Sequence, residues 1–170
     1  MQSQIIAVVG LTGSGITEAT AVFIAAGFSR VGFNDVVYEE VAARGLEVNE
    51  LNERHVREDL RREFGGGVMA MKSLSKVEAM VAKGMNVVVE SLYSWDEYKI
   101  MKERFGDAFR VLAIYAPPQV RYSRLADRSV RPLTNDMAHS RDYAEIENTF
   151  KAGPIAMADW TIKNIGSRED

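Results

Sequence analysis

The sequence predicts an α/β fold with a mainly parallel, five-stranded sheet. Short apolar, β-branched runs alternate with segments of helical periodicity, as in a doubly wound sheet. Several of those runs end in glycine or a polar residue, where such sheets place their ligands. The chain of 170 residues is long enough for one domain with a real core, and 46% of it is hydrophobic. The strands are expected at about residues 4–9, 28–33, 86–90, 109–115 and 160–164.

"IIAVVG" is a continuous apolar run closed by Gly10, the pattern of a buried strand. A helix is expected from Thr17 to Ala26, with Gly27 as its stop. "FSRVGF" reads as the second strand. "NDVVYEEVAARG" reads as a helix that Asn34 can cap and Gly45 ends. "NELNERHVREDLRREFG" is amphipathic, with Leu51, Val56, Leu60 and Phe64 near one stripe. "GGGVMAMKSLSKVEAMVAKG" is the next helix, its methionines filling core. "MNVVVE" is a buried strand ending in Glu90, and "SWDEYKIMKERFG" a helix with Ser94 as cap. "FRVLAIYAP" is the fourth strand. "PPQVRYSRLADR" opens a helix with proline, "SVRPLTNDMAHSRD" reads as a loop or lid, "YAEIENTFKAG" as helix, and "DWTIKN" as the last strand.

Composition narrows the chemistry. The absence of cysteine excludes disulfides and thiolate chemistry, and two histidines, His55 and His139, are too few for a multi-histidine zinc cluster. A formal net charge of -3 gives no general nucleic-acid-binding surface. No apolar window reaches the ~18 residues of a membrane span, and "MQSQIIAVVG" lacks the basic start of a signal peptide. A cytoplasmic protein with a polar, frayed "GSRED" tail is expected.

The chemistry concentrates in "GLTGSGIT", residues 10–17. It fits G-x-x-x-x-G-K-[ST] between a strand and a helix at every motif position but one. Gly10, Gly13 and Gly15 allow the backbone N–H groups, with Ser14 between them, to fold around phosphate at a helix N-terminus. Thr17 stands where a hydroxyl meets Mg²⁺, although it could equally serve the helix start. Ile16 stands where lysine would place a charge between the β- and γ-phosphates. Asp35 and Glu90 follow adjacent strands, where a carboxylate orients Mg²⁺ or acts on an acceptor hydroxyl. Arg121, Arg124, Arg128, Arg131 and Arg141 fall in a segment without lysine; the first three share a helical face, and Arg128 and Arg131 flank a lid boundary before Pro132.

On "IIAVVGLTGSGIT", "NDVVYEEVAARGLE", "NVVVES", "VLAIYAPPQVRYSRLADR", "RDYAEIE" and "MADWTIKN", the chain resembles nucleoside-monophosphate-kinase-like P-loop proteins. Within them it looks most like the dephospho-coenzyme-A-kinase-related and adenylate/cytidylate-kinase-like group. The resemblance implies a three-layer P-loop fold with helices on both sheet faces. It implies one domain over 1–170, with an acceptor-binding helical region at about 35–84 and a lid at about 127–142. It also implies ATP and Mg²⁺ at residues 10–17, Asp35 near the reacting groups, Arg61 or Arg62 on the acceptor phosphate, and Arg128 and Arg131 as catalytic lid arginines. Glu90 takes the place of an aspartate in the strand–D-G-x-R pattern of these kinases, Ser91 that of its glycine and Tyr93 that of its arginine. With Ile16, two positive charges are gone. The expected function is ATP-dependent phosphoryl transfer to a nucleotide or dephospho-coenzyme-A-like molecule. The alternatives are a regulatory protein that binds nucleotide without turnover and a scaffold that binds a protein partner.

Overall fold

The computed structural model describes residues 3–166. Its sheet is five-stranded and wholly parallel, in the order β2-β3-β1-β4-β5. The strands are β1 (Ile5–Val9), β2 (Ser29–Gly32), β3 (Val87–Glu90), β4 (Phe109–Tyr115) and β5 (Trp160–Lys163). All five sequence-predicted strands are present, each within a residue or two of its expected bounds. Most of the "GSRED" tail, residues 167–170, lies outside the described residues.

Strand alternation divides the core. Ile5, Ala7 and Val9 face one side with Val31, Val87, Val89, Phe109, Val111 and Ala113. Ile6 and Val8 face the other with Val88, Leu112 and Ile114. A strand covered on both faces has no polar side to show, which is why β1 reads "IIAVV". The larger core carries α2 (Asp35–Ala43), α3 (Glu50–Phe64), α4 (Val68–Ala82), α5 (Trp95–Phe105) and α8 (Ala152–Ala156). The smaller core packs under α1 (Ile16–Ala25), through Ile16, Ala19 and Phe23. The remaining helices are α6 (Pro118–Ala126) and α7 (Asn135–Glu147).

Local signals explain most boundaries. Asn49 and Thr134 cap α3 and α7 through their side chains, and Ser94 and Glu97 form a reciprocal capping box on α5. Asn34 occupies the cap position of α2 but makes no side-chain capping bond, contrary to the expectation from sequence. On α3, Val56 and Leu60 are buried, whereas Leu51 is 77% exposed and Phe64 half exposed, so the buried stripe is narrower than predicted.

The largest correction concerns residues 127–153. Thr134 starts α7 at Asn135, so irregular chain is confined to 127–134, and residues 135–142 of the expected lid are helical. The helix expected over "YAEIENTFKAG" ends at Glu147; Phe150, at φ 54°, turns the chain before α8. No helix among the described residues is long and apolar enough to cross a membrane.

Candidate active site

The strand order reverses at β1, which lies between β3 and β4. A cleft of about 1000 Å³ opens beyond the carboxyl ends of these strands, the position expected for a ligand in such a sheet. Thr12, Gly13 and Gly15 to Glu18 line it, together with Glu90, Tyr93, Arg124, Arg128, Arg141, Lys151 and Asn164.

The loop over residues 10–15 is braced through its carbonyls. The Leu11 carbonyl accepts from the Ser14 amide at 3.1 Å. Arg121 Nη1 donates to the Thr12 carbonyl at 3.1 Å, and Asn164 Nδ2 donates to the Ser14 carbonyl at 2.8 Å. The carbonyls of Leu11, Thr12 and Ser14 are thus consumed by the scaffold. The amides of Gly13 and Gly15 have no protein acceptor among the described residues, and those of Ile16 and Thr17, first in α1, have none within the helix. Gly15 sits at φ 105°, left-handed backbone that turns the loop into α1. A Cβ on Gly10 would fall 2.6 Å from the Ile114 carbonyl oxygen, so the loop start lies directly against β4.

Ile16 packs against the smaller core beneath the helix. Thr17 is exposed on the cleft wall, and the Ser14 hydroxyl is buried without a hydrogen-bond partner. Glu90 faces the cleft and accepts from Arg30 Nε at 2.7 Å. Asp35 lies outside the cleft lining. Arg30 Nη1 holds it at 3.1 Å, and Lys76 Nζ lies at 3.8 Å.

The arginines separate by role. Arg121 is a strut: 2% exposed, it donates to both oxygens of Asp142 on α7, to the Ala116 carbonyl and to the loop. Arg124 holds the backbone of Asn164 and Gly166 while facing the cleft. Arg128 lies beyond the end of α6, not on its face, and lines the cleft. Arg131 lies outside that lining, with Nη2 3.9 Å from Glu53 on α3. Arg62 is exposed, pairs with Asp59 and is not among the residues that line the cleft. Arg61 turns inward, 3.9 Å from the buried Glu97. Burial pushes the Glu97 carboxyl up to about 7, against Arg61 and the Tyr93 and Ser94 amides that stabilise its anion. Burial likewise lowers the Arg61 guanidinium. The Nε atoms of Arg57 and Arg61 are buried without a hydrogen-bond partner.

Sequence reasoning missed the cluster closest to the loop. Lys151, 2% exposed, extends Nζ to 2.9 Å from Glu145 Oε2 and 4.5 Å from the Tyr93 ring centroid. The same Glu145 oxygen accepts from the Thr12 amide at 3.3 Å, and its other oxygen accepts from the Thr12 hydroxyl and from Arg141 Nε at 3.1 Å. Burial would raise the Glu145 carboxyl, but Lys151, Thr12 and Arg141 overcome it and hold it at about 2. Burial lowers the Lys151 ammonium, with Glu145 opposing. One signal was available: Lys151 is the only lysine between residues 103 and 162.

No family model matches the chain. Among solved structures it is similar to a Thermus thermophilus protein, with a TM-score of 0.68 and 17% identity over 99% of this chain and 92% of the other. It is also similar to shikimate kinase from Bacteroides thetaiotaomicron, with a TM-score of 0.57 and 14% identity over 95% and 86%. Dephospho-CoA kinase from Campylobacter jejuni gives 0.56 and 15% over 100% and 92%. The fold therefore resembles that of nucleotide and small-molecule kinases, without selecting a branch among them. The UPF0200 protein of Thermococcus kodakarensis is 34% identical over 169 residues, covering 98% of this chain and 91% of its own. That of Thermococcus onnurineus is 34% identical over 170 residues, covering 98% and 91%. By these relatives, the chain belongs to the UPF0200 family.

Proposed function

We propose that the protein binds ATP with Mg²⁺ at residues 10–17 and transfers the terminal phosphoryl group to a small-molecule acceptor. The observation that carries this is the loop whose Leu11, Thr12 and Ser14 carbonyls are tied to the scaffold while the Gly13 and Gly15 amides have no acceptor among the described residues, beside a cleft lined by Arg124, Arg128, Arg141 and Lys151. Such a surface suits a polyanion, through backbone donors first and cationic side chains second.

The residues fit the group. The Ser14 hydroxyl is an orphan in the loop, and Thr17 and Glu90 offer oxygen ligands on the cleft walls. No cluster of three or more histidines or carboxylates able to hold a metal occurs among the described residues. A hydroxyl and one carboxylate suit Mg²⁺ bound together with phosphate and water. The bound metal would neutralise charge building on the transferred group. Gly10, Gly13, Ser14, Gly15, Ile16 and Thr17 would hold the phosphates by backbone, and Arg128 would approach them from the 127–134 segment. Arg61, with Arg57, would meet an anionic group of the acceptor. In this reading Asp35 acts on the acceptor only when Arg30 and Lys76 release it, and Arg131 holds the lid segment near α3.

Calorimetry with MgATP, beside a transfer assay over nucleoside monophosphates, dephospho-coenzyme A and small hydroxyl acceptors, tests the reading. Heat and product are expected. Absence of heat with every nucleotide would refute it; heat without product from any acceptor would favour a nucleotide-binding regulator.

A further inference from the structure

We infer that Lys151 supplies the phosphate-binding cation that Ile16 does not. This rests on the nucleotide-binding reading and assigns a residue of that site from outside the glycine loop. Two facts place the ammonium there. It lines the same cleft as Thr12, Gly13, Gly15 and Ile16. Its counter-ion, Glu145, is pinned to the loop itself, because one carboxylate oxygen takes both the Lys151 ammonium and the Thr12 amide.

The surroundings suit a positioned charge. Lys151 follows the turn at Phe150 and enters α8, whose Pro154 is buried, so its backbone origin is fixed. The Tyr93 ring supports the ammonium from one side and Glu145 from another. An ammonium has three donors, and Glu145 is its one hydrogen-bond acceptor among the described residues. A phosphate oxygen entering beside the Thr12 and Gly13 backbone would find the remaining donors. Glu145 thereby positions Lys151 and keeps it charged until phosphate arrives. Ile16 is freed to fill the core beneath α1, where a lysine would bring a second charge toward the same phosphates.

The test compares wild type with Lys151→Met, with the double variant Lys151→Met/Glu145→Gln and with Lys151→Met/Ile16→Lys. Calorimetry reads MgATP, and thermal unfolding by circular dichroism reads the fold. Lys151→Met should weaken MgATP about tenfold to hundredfold, the weight of a charge-assisted hydrogen bond. The double variant without the buried pair should weaken it similarly while keeping the fold, since no carboxylate is then stranded. Ile16→Lys should restore most of the affinity by returning charge to the loop. A folded Lys151→Met/Glu145→Gln protein with wild-type affinity would overturn the assignment. So would a loss that Ile16→Lys leaves untouched, which would mark Lys151 as a structural support. Wild type without heat from any nucleotide would refute the nucleotide reading, and this assignment with it; a silent substitution in a protein that binds MgATP refutes this assignment alone.

Discussion

Glu145→Gln should uncouple α7 from the glycine loop, with a cost that depends on acidity. The carboxylate is 14% exposed at its side chain and accepts from Lys151, Arg141 and two groups of Thr12. Those partners hold its pKa at about 2, against the ordinary 4.5. At about 1.4 kcal/mol per pH unit, that displacement stabilises the fold by about 3 kcal/mol at neutral pH. The sign follows from a folded pKa below the unfolded one. The contribution is complete above pH 4.5 and is lost as pH falls toward 2, with roughly 2 kcal/mol gone by pH 3. A protonated Glu145 resembles glutamine, so wild type and variant should converge in acid. Urea unfolding of both proteins from pH 3 to 7.5 measures this. The expected gap is about 3 kcal/mol at pH 7, narrowing to about 1 kcal/mol at pH 3. A gap below about 1 kcal/mol at pH 7, or one that stays constant with pH, would refute the electrostatic account.

Gly10→Ala places a Cβ 2.6 Å from the Ile114 carbonyl and should cost about 1–3 kcal/mol by urea midpoint; an unchanged midpoint would mean the loop can move off β4 cheaply. Asn164→Ala removes the 2.8 Å bond to the Ser14 carbonyl and the contact with Arg124, a loss of about 1 kcal/mol that should appear as faster hydrogen exchange at residues 12–17. Glu97→Gln has the opposite pH signature to Glu145→Gln. Burial raises the folded pKa of Glu97 to about 7, so its protonated form favours the fold below pH 4.5 and that advantage drains away as pH rises through 7. The glutamine variant should lack this decline, gaining on wild type by up to about 3 kcal/mol between pH 4.5 and 8, and a parallel pair of pH profiles would contradict it. In the binding assay, Thr17→Val should reduce the Mg²⁺ dependence of ATP affinity more than the affinity of metal-free ATP, and equal losses would remove Thr17 from the metal.

The strands were legible because parallel strands buried on two faces cannot hide among polar residues; "IIAVV" and "VVVE" have almost no other reading. The loop was legible because glycine spacing is a statement about backbone. The helix over residues 135–142 was not legible because the stretch is mostly polar, and its identity as helix depends on the Thr134 cap and the buried Arg121–Asp142 pair, a long-range contact. Arg121, Arg124 and Arg128 do recur at helical spacing, yet the helix ends at Ala126 and the three side chains have different partners. Spacing shows which residues share a face, not what the face meets. The partners of Lys151 and Asn164 were out of reach for the same reason, although the isolation of Lys151 in its segment could have flagged it. Asn164 meets Ser14 across 150 positions, and Lys151 reaches the loop only through Glu145, which meets Thr12 across 133; neither belongs to a local motif.

The departures from the kinase pattern make one arrangement when placed in space. Ser91, where that pattern has glycine, holds φ 67°, so the glycine-like turn after β3 persists without the glycine. Its hydroxyl accepts from the Tyr93 hydroxyl at 3.0 Å, which helps fix the ring that lies under Lys151. An arginine at position 93 would put a second cation against the Lys151 ammonium in a buried setting, where like charges repel strongly. A lysine at position 16 would add a third at the proposed phosphate site. The Tyr93 ring at position 93 is therefore what a buried Lys151 requires of that neighbour, and Ile16 spares the proposed phosphate site a further charge. Glu145 completes the set by balancing the transplanted charge and tying it to Thr12. On this account two apparent losses at the loop and the β3 turn are consequences of one gain at residue 151. Reverting Tyr93→Arg alone should then destabilise the protein, whereas Tyr93→Arg combined with Lys151→Met should recover much of that stability in urea unfolding. Additive losses in the double variant would show that the two positions do not share one charge.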